Sequence, residues 1–249
     1  MNTWPRLVRA EIRKLTTTKM PWAFLGVLVI IAGIDAAVVA FGTDMDGSKT
    51  FISTAADQQS LMAFAFNAML GTSLFGAIAV AREYGHNTVV PTFLSSPKRM
   101  RTASAQFFAV MLAGAALGLI AQVLVTGGIA LALPSTSYGF LVSAGDLARV
   151  VAASTFAGAA GAVLGAGLGA IIRNLGGAVT AAVFVLFMVP PLTVQLFNDA
   201  ASWIPPTLST VVSGVTSEVN VWAAVAALLL WALVPAAIGL VAIQRRDVV

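Results

Sequence analysis

Residues 150–172 read VVAASTFAGAAGAVLGAGLGAII, twenty-three positions without a charge. A helix needs about 20 apolar residues to cross the ~30 Å hydrocarbon core of a bilayer, so this stretch is span-length. Ala157, Gly161, Gly165 and Gly169 recur every four positions within it. That spacing puts them in one smooth ridge, against which a second helix backbone can pack closely. The GAGLG within the ridge lies in an uninterrupted apolar run with no strand signal before it, so it does not read as a nucleotide-binding glycine loop.

Working outward, five further stretches have the same character: Pro21–Phe41, Ser60–Ala81, Phe107–Leu133, Leu175–Phe197 and Val221–Ile243. Together the six contain one charged residue, Asp35. The whole chain has 249 residues, 59% hydrophobic and 10% charged, where a soluble domain carries about 25% charged residues. That composition excludes an ordinary water-soluble enzyme. The lengths fit helices, since barrel strands would alternate in polarity over about ten residues. The fold expected is all-α and integral to a membrane, with six transmembrane helices forming a single transmembrane domain over residues 1–249.

Orientation follows from the cations. Arg6, Arg9, Arg13, Lys14 and Lys19 precede the first span, and Arg82, Lys98, Arg99, Arg101 and Arg173 lie in the second and fourth connections. Arg245 and Arg246 close the chain, which leaves only Lys49 and Arg149 for the other side. The positive-inside rule therefore predicts a multi-pass protein with both termini cytoplasmic. The basic balance is explained by topology and anionic lipid, and no nucleic-acid partner is expected.

Residues 2–19 read as an amphipathic helix in the interface, with Trp4, Leu7, Val8, Ile12 and Leu15 on one stripe and Arg6, Arg9 and Arg13 opposite. The basic region is too long, and the apolar run after it too span-like, for a cleaved signal peptide. The connection 82–106 exceeds the usual 2–8 residues between helices, and its Val89, Val90, Phe93 and Leu94 suggest a short helix with a face for a partner. Pro190 and Pro191 are expected to kink or break the fifth span. The apolar, Pro-interrupted stretch 198–219 suggests a re-entrant or interfacial hairpin on the outer side.

Catalysis finds little support. There is no cysteine, a single histidine (His86), and no G-x-x-x-x-G-K-[ST] phosphate loop. Metal sites and intramembrane nucleophile–base pairs lack their residues. Asp35, the lone ionisable group in a span, is a functional candidate by default. Asn67 and Gln122 are polar residues that could line a path or bond between helices.

Three stretches together resemble the type-2 membrane permease family of ABC transporters, as found in actinobacteria. The start, AEIRKLTTTKMPW, is similar to that family's elbow, through Glu11, Lys14 and Leu15. The connection AREYGHNTVVPTFLSSPKRMRTASAQ resembles its E-Y-x-x-x-T…L…P-x-R pattern, through Glu83, Tyr84, Thr88, Leu94, Pro97 and Arg99. GAGLGAIIRNLGGAV resembles the G-x-x-L/I-R-N signature closing span four. Gly85 and Gln106 depart from the pattern, each standing where the family often has a basic residue.

The resemblance implies a coupling helix within residues 82–105 and an elbow at 2–19, both meeting separate nucleotide-binding ATPase subunits in two copies. It also implies a second permease chain, as a homodimer or sibling heterodimer, in a bacterial plasma membrane. ATP and Mg would be held by the partner, with no cofactor in this chain. Independently of the resemblance, Asp35, Asn67, Gln122, Pro190 and Pro191 are the residues that could serve a pathway or gate. The cargo expected is hydrophobic or amphipathic: a drug, antibiotic, lipid or peptide. Two other readings stand beside this one, a membrane binding, immunity or sensor subunit and a secondary carrier using Asp35.

Overall fold

A computed structural model describes residues 4–45, 47–85 and 99–245. Within these the secondary structure is helical, and six helical stretches are long and apolar enough to cross a membrane. Helix α1 spans Trp4–Thr16 and α2 spans Met20–Phe41. Pro21 sits in the first turn of α2, where a missing N–H breaks no helical bond. Lys49 reaches back to the end of α2, its Nζ donating to the carbonyls of Val39 (3.0 Å) and Ala40 (2.6 Å). A cation there also meets the negative end of the helix dipole.

The second membrane stretch is divided, where the sequence suggested one run from Ser60. Helix α3 is Ala55–Met62 and α4 is Ala65–Gly85. Thr54 and Asp57 close a reciprocal capping box at the start of α3. The break at residues 63–64 persists inside apolar surroundings because Gln122, far along the chain, satisfies it. Gln122 Nε2 donates to Met62 O at 2.7 Å, and Phe64 N donates to Gln122 Oε1 at 3.3 Å. A backbone break without such partners would leave polar groups unpaired in an apolar medium.

Helix α5 runs without interruption from Arg99 to Ala132, 34 residues, or about 51 Å at 1.5 Å per residue. This is eight residues longer at its start than the expected span from Phe107, and it shortens the connection after α4. Helix α6 is Ala144–Ile172, capped by Ser143, whose Oγ accepts from Asp146 N. It ends in a two-residue corner. Arg173 takes a left-handed conformation (φ 56°), and Asn174 Oδ1 then accepts from Gly177 N to begin α7, Leu175–Val183. The Arg-Asn pair thus stops one helix and starts the next.

Helix α6 is the hub. Gly161, Gly165 and Gly169 lie against the backbone of α4 near Met69, Ser73 and Ala77, and Ala157 is buried. Gly158 lies against Gly114 and Gly118 of α5, where Ser154 Oγ also donates to Gly118 O at 3.1 Å. On another side Gly167 meets Pro235 and Ala236 of α10, Val221–Arg245. Three neighbours approach to backbone contact because three faces of α6 carry no side chain there.

The fifth span stays helical through its prolines. Between α7 and α8 (Val189–Leu196) the turn Phe184–Met188 widens to π geometry, with Val189 N donating to Phe184 O. Pro190 and Pro191 then occupy the opening turn of α8. Widening the turn before a proline relieves the clash between its ring and the preceding carbonyl, so the pair re-forms the helix rather than ending it. The segment that follows forms a 3₁₀ turn, Asn198–Trp203, and then a helix, α9, Pro205–Val212. Leu208 and Val211 of α9 are buried in the main core with Leu228 of α10. Arg149 donates to the carbonyls of Val212 (3.1 Å) and Val211 (3.0 Å), closing the end of α9.

Outward-facing side chains of α2, of the fifth span with its π turn and of α10 are strongly apolar, among them Ile30, Phe184, Phe187, Leu230 and Leu233. Trp22 (70% exposed) and Trp222 (77% exposed) stand near helix ends, as aromatic side chains do at a membrane–water interface.

Candidate functional site

Described residues of three separate stretches, in α1, at the end of α4 and at the α6–α7 corner, meet at one end of the bundle. Lys14 of α1 lies between two carboxylates, pairing with Glu11 Oε2 at 2.5 Å and with Glu83 Oε1 at the end of α4. The next residue, Tyr84, has the Arg173 guanidinium over its ring, 5.1 Å from the centroid. Arg173 Nη2 donates to Ala242 O near the end of α10 at 3.0 Å. One chain of polar contacts therefore joins α1, α4, the α6–α7 corner and α10. A left-handed arginine costs about 1–2 kcal/mol of backbone strain, which the stacking and hydrogen bond of its side chain offset.

Burial shapes the titration of the cluster. Burial pushes the Glu11 carboxyl above its ordinary value, Lys14 opposes that shift, and the negative charge of Glu83 adds to it. Burial pulls Lys14 down, yet the Glu83 and Glu11 carboxylates outweigh it and hold the ammonium above its usual range. Burial is thus the main cause of the shift at Glu11, and the two surrounding anions are the cause of the shift at Lys14.

The apolar stripe expected on α1 is turned toward Glu11. Val8, Glu11 and Leu15 are the buried residues, while Ile12 lies exposed at the edge. Trp4 anchors the other end against α5, with Nε1 donating to Ser104 Oγ at 3.4 Å and its ring 5.2 Å from that of Phe108. The helix therefore packs on protein at both ends. Hydrophobic spacing could not show this, because Glu11 is buried by its ion pair.

Of the second stretch, Glu83, Tyr84 and Arg99 are described; Thr88, Leu94 and Pro97, with most of the expected coupling helix, lie outside the described residues. Arg173 was the site residue that spacing alone did not single out, although the R-N signature contains it.

A second candidate lies between α2 and α4. Asp35 and Asn67 line one groove of about 750 Å³, with Phe24, Leu28, Phe64 and Leu74 among its walls. Gln122 is not with them: it is fully buried and its amide is committed to the break at residues 63–64 and to Thr126 Oγ1 at 2.9 Å. Pro190 and Pro191 stand in the fifth span, away from this groove. Among the described residues no group of three or more His, Cys, Asp or Glu is placed to hold a metal ion. No protein-family model matches this chain, and no curated protein matches it.

Proposed function

We propose that the chain is the membrane subunit of an ABC exporter, moving a hydrophobic or amphipathic solute with energy from ATP hydrolysed on a separate subunit. The observation that carries this reading is the ion cluster, in which Lys14 of the first motif grips Glu83, the first residue of the second. The third motif joins through Arg173 on Tyr84. Three loose motifs far apart in sequence acquire a common purpose if they brace one docking end.

In this reading α1 is the elbow, and the connection after Glu83 holds the coupling helix that sits in a cleft of the ATPase. A displacement of that connection reaches the membrane through the end of α4 at Glu83 and the start of α5 at Arg99. The 3₁₀ turn and α9 form the outer re-entrant element and shape the exit. Two such chains with two ATPase subunits enclose the path, ATP and Mg being bound by the ATPase subunits. The concentration of cations at this end supports its placement in the cytoplasm: Arg6, Arg9, Arg13, Lys19, Arg82, Arg99, Arg101 and Arg245 share it with the cluster.

The test is co-purification followed by uncoupling. A tagged chain expressed with its neighbouring genes is expected to retain an ATPase subunit. Glu83→Ala with Arg99→Ala should leave ATP hydrolysis in the complex and abolish transport. Arg99→Ala alone leaves the Lys14 cluster intact and should uncouple in part. Normal transport by the double variant would remove the coupling assignment, and a chain that never retains an ATPase would favour a binding or sensor subunit.

A further inference from the structure

The groove between α2 and α4 has a volume of about 750 Å³, in the range that accepts a drug-sized molecule. It follows α2 from Ala23 to Asp35, roughly 18 Å at helical rise, so it is long rather than round. Its lining is mostly apolar, with Asp35, Ser60 and Asn67 as polar members, and Asp35 is the α2 residue farthest from Ala23 along it.

Asp35 is the one charged side chain within the six apolar stretches. Among the described residues no hydrogen bond or ion pair engages either Asp35 or Asn67. The nearest lysine in sequence, Lys49, is held on the carbonyls of Val39 and Ala40. A carboxylate within an apolar helix that lacks an internal counter-ion favours a cation arriving from outside the chain.

We propose that this groove binds an elongated amphiphilic cation of the alkylammonium type, with its charged head at Asp35 and its apolar body along α2 toward Ala23. The inference deepens the transport reading by naming the chemical class of the cargo, and it rests on that reading only for the movement that follows binding. The binding step belongs to this chain alone and is measurable without an ATPase.

The test uses the full chain in nanodiscs of uncharged lipid, with two photoreactive probes of equal chain length. One is a diazirine-bearing hexadecyltrimethylammonium and the other is hexadecyl sulfate carrying the same diazirine. The cation should label peptides of α2 and α4. Labelling should fall about tenfold in Asp35→Asn, as expected for loss of a desolvated charge partner, and persist in Asp35→Glu. The sulfate should label no more than the cation does in Asp35→Asn.

Equal labelling by both probes, or labelling indifferent to Asp35→Asn, would mean a slot for any lipid tail and would overturn the proposal. Groove peptides left unlabelled by the cation, as when a second copy of the chain covers them, would overturn it equally. Charge-blind labelling by a chain that does retain an ATPase sinks the cargo class and leaves transport standing. Charge-selective labelling by a chain that retains none keeps the site and sinks transport.

Discussion

At the residue scale, Lys14 and Glu11 make opposite contributions to one cluster. Lys14 is an ammonium whose folded pKa is raised, so its contribution to stability is complete below its unfolded value and is lost as pH rises through the folded one. Glu11 is also raised, which for a carboxylate means the fold prefers its neutral form. Its contribution is complete below the unfolded carboxylate value and is lost as pH climbs through the folded value, so at neutral pH its charge is a net cost. Lys14→Met leaves two carboxylates facing each other and should destabilise the chain by roughly 1–3 kcal/mol, less than for a fully buried pair because Lys14 is partly open to solvent. Glu11→Gln should leave the thermal midpoint at pH 7 unchanged or raised, and should flatten its dependence across the carboxylate range. Midpoints measured from pH 4 to pH 11 check both, and a fall in Glu11→Gln as large as that in Lys14→Met would show Glu11 to be a full partner.

At the scale of elements, α6 determines how closely the others pack. A Cβ built at Gly165 would run into Ser73 O and stand 2.8 Å from Ala77 N, both backbone atoms of α4 that cannot rotate away. Gly165→Ala should therefore destabilise by about 1–3 kcal/mol through overpacking. Gly26→Ala on α2, where a Cβ meets nothing within 4 Å, should be neutral or slightly stabilising. Comparable losses in the two variants would argue against backbone contact as the reason for the ridge. The ridge itself was legible in the sequence, since a period of four residues marks one helix face whatever the tertiary context. The identity of its partner was not, because α4 is also small-residue-rich and Gly114 and Gly118 of α5 offer an equal surface. The break at residues 63–64 was hidden for a different reason. Nothing near it in sequence signals a stop, and the amide that makes it tolerable comes from Gln122. The prolines of the fifth span announced a disturbance correctly as chemistry, while the π turn that absorbs it depends on how Phe184–Met188 can widen. Of the candidate sites, Asp35 was legible as a charge out of place in an apolar span, while Glu83 and Tyr84 stood out only through the resemblance of their stretch. Their meeting with Lys14, Arg173 and Asn67 needed the fold.

At the scale of the whole molecule, charge divides the bundle into two ends. Lys49 and Arg149 are the cations described at the end opposite the Lys14 cluster, and each is bound to the carbonyls closing a helix. Their charge is thus used locally, while the other end holds cations in excess. The absence of native cysteine makes the sidedness directly measurable. Arg9→Cys should react with a membrane-impermeant maleimide only in inside-out vesicles, and Glu218→Cys only in right-side-out ones; the reverse pattern would invert the topology. Between the two ends, the Gln122 amide has a mechanical consequence. It is fixed to α5, a single unbroken rod, yet its bonds hold the end of α3, whose Gln59 Nε2 donates to Ser213 O just beyond α9 at 3.0 Å. A hydrogen bond of 2.7 Å is gone once its atoms separate by roughly a further 1 Å. The rod therefore has almost no free travel: an axial shift larger than that must either tear the α3–α4 break open or carry α3, and with it the foot of α9, along as one piece.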